Sequence, residues 1–212
     1  MVKYLLKNYD SMLTLMLTHI QIVMISIAIS LLIATALSIL ILRSKILSMI
    51  VLSTLGVIYS IPSLALFAIL IPILGLGKGT AIFVLVIYNQ YILVRNISAA
   101  FRSIDPSIIE AGIGMGFNSF ELFSKIQLPL ALPIILGGVR IASVTTISIA
   151  TIASVINAGG LGVILFDGLR MNYLPKILWG TIMSAGLALT ANKILVYLEK
   201  LASFKASGQC KV

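Results

Sequence analysis

The chain has 212 residues, of which 60% are hydrophobic and 10% charged. A soluble domain of this size cannot bury that much apolar surface, so composition excludes an ordinary water-soluble globule. The net charge of +9 would suggest nucleic acid in a soluble protein, but among long apolar runs it reads as loop charge set by membrane topology, and no nucleic-acid partner is expected.

Residues 1–18 place Leu5, Leu6, Tyr9, Met12, Leu13, Met16 and Leu17 at helical spacing, with Lys3, Lys7 and Asp10 among them. This pattern predicts an amphipathic helix at the membrane surface, because three charges in ten residues are costly in hydrocarbon. Residues 20–42 form the first long apolar run and end at Arg43-Ser44-Lys45 without an A-x-A site. They read as a retained spanning helix rather than a cleaved leader. At about 1.5 Å per residue such a helix covers about 34 Å, enough for about 30 Å of hydrocarbon.

A second span is predicted over residues 46–73, with Pro62 inside it bending the helix and freeing a carbonyl. A third starts near Thr80; its apolar part ends at Val94, and it continues past Arg95 into water. A fourth covers residues 133–156 and a fifth residues 176–197. Five crossings put the two chain ends on opposite sides of the membrane.

Between the third and fourth spans lies one of the few polar interruptions. Asp105-Pro106 is a helix start, since Asp caps and Pro is tolerated at the first helical position. Gly112, Gly114 and Gly116 erode that helix and favour a turn. Asn118 followed by Glu121 has the spacing of a capping box and opens a second short helix. Phe117, Phe120, Phe123 and Ile126 lay an apolar stripe along it, and Pro129 and Pro133 are expected to end it and redirect the chain. Local chemistry alone leaves two readings open: a hairpin for a partner's groove, or an interfacial hairpin with no partner.

Polar residues within the spans also carry two readings each. Tyr88, Asn89 and Gln90, and the hydroxyls Ser143, Thr145, Thr146, Ser148, Thr151 and Ser154, either line a wet path or bond between helices. Tyr59, Pro62, Ser63, Asn89, Thr145 and Thr146 form the candidate path or gate. Arg140 is expected to snorkel or pair with an acid, and His19 to cap or sit at the outer interface. The single cysteine, Cys210, excludes an intrachain disulfide and a Cys-based metal cluster. Residues 75–80 are no phosphate loop: Lys78 is not followed by Ser or Thr, and no strand precedes it.

The spacing Glu110-Ala111-Gly112, Gly116, Ile126, Leu128-Pro129 resembles the E-A-A-x3-G-x9-I-x-L-P loop of bacterial ABC importer permeases. Residues 61–66 (IPSLAL), Val94-Arg95-Asn96, residues 128–133 (LPLALP) and residues 158–162 (AGGLG) are similar to permeases of the osmoprotectant class. The likeness covers about residues 15–200. It departs at Gly112, where the general motif has Ala.

The resemblance implies an all-α membrane protein of type I importer permease fold, with five transmembrane helices, an N-terminal interfacial helix (residues 1–18), a transmembrane domain (residues 19–200) and a cytoplasmic tail (residues 201–212). It implies that residues 105–129 are a cytoplasmic coupling hairpin. There Glu110, Ala111, Gly112, Gly116, Phe117, Phe120, Phe123, Ile126, Leu128 and Pro129 would dock an ATPase dimer that holds ATP and Mg²⁺. This chain would bind no cofactor and perform no chemistry. Its other implied partners are a second permease chain, an extracytoplasmic substrate-binding protein and lipid. Its cargo would be quaternary amines such as glycine betaine, carnitine and choline. No clustered aromatic set able to cage such a cation is evident in the sequence, which places the tight site on the receptor.

With residues 105–129 inside a bacterial cytoplasmic membrane, ten cations fall on the cytoplasmic side: Arg43, Lys45, Arg95, Arg102, Lys125, Arg140, Lys193, Lys200, Lys205 and Lys211. Five fall outside: Lys3, Lys7, Lys78, Arg170 and Lys176. The positive-inside rule then puts the N-terminus outside and the C-terminus inside. Two alternatives remain. One is an importer of another amine or amino acid such as methionine. The other is an autonomous channel or intramembrane hydrolase, for which no paired nucleophile and base are evident.

Overall fold

The structure, a computed structural model, describes residues 2–206, with side chains over residues 4–204. Cys210, Lys211 and the end of the expected tail lie outside the described residues. The elements are α1 (Val2–Leu42), α2 (Lys45–Ser60), α3 (Ser63–Leu74), α4 (Lys78–Arg102), α5 (Pro106–Gly114), α6 (Ser119–Glu121), a π-helical segment (Leu122–Gln127), α7 (Leu128–Ile152), a 3₁₀ turn (Ala153–Ile156), α8 (Gly162–Arg170) and α9 (Leu174–Ala206). Among the described residues there is no strand. Four helical stretches are long and apolar enough to cross a membrane, and the α2–α3 pair makes a fifth if counted as one broken span.

Three helix pairs form the centre: α7 with α9, α1 with α4, and α4 with α7. In lipid there is little hydrophobic drive between helices, so close approach through small residues and buried polar ties matters most. Ala34, Ala81, Ala142 and Ala150 are fully or almost fully buried at these contacts. A Cβ on Gly138 of α7 would stand 2.5 Å from the Asn96 Cβ of α4, so the two helices approach at a distance only glycine allows. Larger side chains fill the gaps on either side: Phe67, Leu85 and Ile147 towards one end, Ile41, Leu93 and Ile97 towards the other.

Three expectations change. The segments expected as an interfacial helix and a first span are one helix of 41 residues, about 61 Å long at about 1.5 Å per residue. No Gly or Pro precedes Gly56, so nothing local breaks α1 near residue 18. Its first turns are held by neighbours: Met12 packs with Leu161 and Ile164, and the Tyr4 and Tyr173 rings meet edge-on at 5.9 Å.

Pro62 does more than bend the second span. The chain breaks there, and α3 leaves α2 at 94°. Pro62 has no N–H to donate, and the residue before it is driven out of the helical region; Ile61 is extended at φ −67° and ψ 129°. The freed Ile61 carbonyl accepts a hydrogen bond from the Tyr88 hydroxyl of α4.

Pro129 and Pro133 do not end the second hairpin helix. Helical structure runs on from Ser119 into α7. The wider π turn absorbs the junction: Leu128 N–H donates to the Phe123 carbonyl, five residues back, and Pro129 follows at a position needing no donor. Finally, residues 157–175, between the fourth and fifth predicted spans, contain a further helix, α8. Its glycine backbone fits α9, where a Cβ on Gly168 would be 2.8 Å from the Ile177 nitrogen.

Candidate coupling hairpin and its surroundings

The hairpin is built by local chemistry. Asp105 caps α5, with Oδ1 accepting from the Ser107 N–H at 2.9 Å and from the Ser107 hydroxyl at 2.8 Å. Those two bonds hold the Asp105 carboxyl below the usual carboxylate range. Gly112 and Gly114 stay inside α5. Only Gly116, at φ 84°, leaves it. Gly116 N–H donates to the Ile113 carbonyl and Phe117 N–H to the Gly112 carbonyl, the paired bonds of a Schellman cap. A residue with a Cβ would be strained at Gly116.

The expected capping box is present. Asn118 Oδ1 accepts from the Glu121 N–H at 2.9 Å, and Glu121 Oε2 accepts from the Asn118 N–H at 3.2 Å. Lys125 pairs with Glu121 at 2.9 Å and lies over the Phe117 ring at 5.4 Å. The return helix closes on α5 at Gly112: a Cβ there would meet Leu122 Cδ1 at 2.6 Å and Ile126 Cδ1 at 2.8 Å. The departure from Ala at this position therefore corresponds to a tighter hairpin. Phe123 stacks on Phe101 of α4, ring centres 5.9 Å apart, which ties the hairpin to the bundle.

The named residues thus separate into two groups. Gly112, Phe117, Ile126, Leu128 and Pro129 are buried or half-buried and hold the hairpin together, with Gly116 making its turn. Glu110, Ala111, Phe120 and Phe123 are exposed, Phe120 by 77% and Phe123 by 37% beside its stack on Phe101. Beside them Ile108, Ile113 and Met115 are also exposed. These three were missed because the sequence pattern weighted the aromatic stripe; only the folded hairpin shows that α5 presents its own apolar face.

The candidate path residues do not gather at one place. Asn89 and Thr146 are buried between three helices. Asn89 Nδ2 donates to Ser30 Oγ of α1 at 3.3 Å, and the Thr146 hydroxyl lies 3.0 Å from Asn89 Oδ1. This geometry favours the interhelix-tie reading over an open path. Tyr59 is half-buried at the α2–α3 break, Pro62 is exposed, and Ser63 and Thr145 are half-buried. The break also brings three aromatic rings together. Tyr59 lies 5.8 Å from Tyr88 and 5.1 Å from Tyr91, with Arg95 over the Tyr91 ring at 5.8 Å. Three tyrosines do cluster, but their faces are packed on one another and on Arg95.

Arg140 pairs with an acid, donating from Nε to Glu199 Oε2 at 3.1 Å and from Nη1 to Asn192 Oδ1 at 3.5 Å. His19 is fully buried and does cap, at long range: its Nδ1 accepts from the Leu161 N–H at 3.3 Å. Among the described residues no three His, Cys, Asp or Glu side chains gather to hold a metal.

Residues 26–205 match the model of the family described as binding-protein-dependent transport system inner membrane component. The chain belongs to this family. A curated relative is the osmoprotectant import permease protein OsmW of Salmonella typhimurium, 32% identical over 203 residues, covering 93% of this chain and 94% of that protein. Another is the carnitine transport permease protein OpuCB of Listeria monocytogenes, 34% identical over 193 residues, covering 91% and 88%. The fold matches that of a chain in a solved structure of the MetNI methionine ABC transporter in inward-facing conformations, with a TM-score of 0.78, 20% identity and coverage of 90% and 95%. As a family member, the chain is an inner-membrane component of a transport system that depends on a binding protein.

Proposed function

We propose that this chain is the permease subunit of an ATP-driven importer for quaternary-amine osmolytes, among them glycine betaine, carnitine and choline. The hairpin carries this reading: an exposed apolar face on a tightly locked scaffold, at the end of α4, spaced as the docking loop of importer permeases is. The cargo class is supported by the similarity to OsmW and OpuCB.

In this reading the chain makes and breaks no bonds. ATP and Mg²⁺ belong to a cytoplasmic ATPase dimer, and a second permease chain, identical or homologous, completes the path. An extracytoplasmic receptor delivers the cargo. Closure of the ATPase dimer moves the hairpins and rocks the spans between inward and outward states. The break at Pro62, with Tyr59 and Ser63 beside it, and Thr145 on α7 remain candidates for path or gate. Asn89 and Thr146 act as ties. The bacterial cytoplasmic membrane is the setting, with the N-terminus outside and the C-terminus inside, supported by the ten-to-five distribution of cations.

The test is uptake by proteoliposomes holding the complete transporter and its receptor. Labelled glycine betaine, carnitine or choline should accumulate with ATP, and an excess of methionine should not compete. Methionine uptake that none of the three amines inhibits would overturn the cargo assignment.

A further inference from the structure

The AGGLG stretch (residues 158–162) lies outside the hairpin. It follows α7, whose 25 residues span about 37 Å at about 1.5 Å per residue, so it sits at the end of the bundle opposite the hairpin. The chain there is fixed at several points. Asn157 has φ 61°, and Gly159 and Gly160 have φ 82° and 80°. A Cβ on Gly160 would lie 2.8 Å from His19 Nδ1, and one on Gly162 only 1.8 Å from the Thr151 carbonyl oxygen. Gly77 N–H donates to the Ile156 carbonyl at 2.8 Å, tying in the turn between α3 and α4. Asn157 is the left-handed cap that ends the 3₁₀ turn, its N–H donating back to the Ala153 and Ser154 carbonyls.

This rigid wall faces one side of α8. Val163, Phe166, Asp167 and Arg170 stand at i, i+3, i+4 and i+7, which is a single helical face. The opposite face, with Ile164 and Gly168, is buried. Between the wall and α8 is a cavity of about 210 Å³, completed by Ser154, Asn157 and Gly159. It therefore brings together a carboxylate, a guanidinium, an aromatic ring, an amide and a hydroxyl. One further charge bears on it: Lys176 Nζ donates to Asp167 Oδ2 at 3.1 Å. The local balance is two cations to one anion.

That balance selects a ligand. A bare quaternary cation would add a third positive charge and leave Arg170 without an anionic partner. A small zwitterion supplies both halves: its carboxylate pairs with the Arg170 guanidinium, and its trimethylammonium group rests on the Phe166 ring beside the Asp167 carboxylate. We infer that this outer pocket is a low-affinity entry site for zwitterionic quaternary amines, and that Arg170 makes it discriminate them from choline. The inference rests on the cargo class proposed above. The small volume suits weak capture and onward release, since tight small-molecule sites enclose about 300–1,000 Å³.

The test uses the permease–ATPase complex in nanodiscs without its receptor, with saturation-transfer NMR on the N-methyl protons of glycine betaine and of choline. In the unmodified complex the betaine signal should saturate in the millimolar range and exceed the choline signal by about fivefold or more, as expected for one charge-assisted hydrogen bond in a wet site. Arg170→Gln should abolish that preference by lowering the betaine signal about fivefold, and Arg170→Lys should restore part of it. Size-exclusion and thermal melting confirm that the variants fold. Equal signals for the two amines in the unmodified complex, or a betaine signal that survives Arg170→Gln, would overturn the inference. So would an Arg170→Gln complex that keeps the betaine signal but binds added receptor more weakly in a separate titration, which would make the patch a receptor-docking surface. The uptake assay separates this from the cargo reading: uptake without an NMR preference sinks only the pocket, whereas an NMR preference without uptake sinks the cargo and leaves the pocket as a binding site with no role in entry.

Discussion

Phe120→Ala isolates docking from folding. The ring is 77% exposed, so its loss removes almost no internal packing. A buried phenylalanine covers about 150–250 Å². The share still open here amounts to about 120–190 Å², which at about 25 cal/mol per Å² is worth about 3–5 kcal/mol once a partner covers it. Ordering the side chains on both sides costs about 0.5–1.5 kcal/mol, and alanine keeps part of the contact. The net loss expected is about 2–3 kcal/mol, or about 30- to 150-fold in Kd for the ATPase. The assay is titration of the ATPase onto nanodisc-embedded permease, read by a fluorescent label, with thermal melting of the permease alone as the control. Melting should stay within the range of a neutral surface change, about 0.5 kcal/mol. An affinity within about twofold of the parent would refute the argument that the exposed face of this hairpin is the docking surface.

Other expectations follow from the same geometry. Gly112→Ala should be absorbed, because the added methyl meets only the flexible ends of Leu122 and Ile126; Gly112→Val should cost about 1–3 kcal/mol by overpacking and raise hydrogen exchange across residues 106–127. Tyr88→Phe removes the donor to the Ile61 carbonyl; it should cost about 0.5–1.5 kcal/mol and speed exchange at residues 58–61, and an unchanged profile there would show that the hydroxyl does not hold the break. Arg140→Glu and Glu199→Arg should each lower the melting temperature and together restore it, by about 1 kcal/mol or less because both side chains are about one-third exposed. A double variant no better than the singles would deny that this pair ties α7 to α9.

What the sequence made legible was local. The Asp105 cap and the Asn118–Glu121 box are set by neighbours within three residues, and both form as read. Apolar run length likewise located each span. What escaped was set by packing at a distance. The lack of Gly or Pro near residue 18 allows α1 to continue unbroken, but what holds its first turns off the membrane surface is Met12 meeting Leu161 and Ile164, some 150 residues on. Tyr59 and Tyr91 look unrelated until the break at Pro62 lays α2 against α4. Proline itself was read by its usual rule, yet its effect differed by context. At Pro62 the rule understated the result, and at Pro129 a π turn removed the penalty. Asn89 shows the same limit for polar residues: its position in a span allows both a path and a tie, and it takes the positions of Ser30 and Thr146 to favour the tie.

The absence of a break at Pro129 bears on how the proposed machine would work. Had the chain turned there, the hairpin would hang from α7 by a joint, and much of its displacement would be lost in bending. Instead the return helix, the π segment and α7 form one helical run from Ser119 to Ile156. Its far end leads directly into the loop that is bonded to His19 and packed against Thr151. The outgoing arm is equally short of slack: Phe123 stacks on Phe101, and α5 follows α4 after only three residues. A push on the hairpin must then tilt or rotate α7 as a rod, because packed elements move between discrete arrangements rather than stretch. The rod's far end borders the Asp167–Arg170 pocket. Closure of the ATPases would in this way reach the entry site without a flexible relay, and the π turn, the least regular part of the rod, is where such a motion would first appear as altered hydrogen exchange.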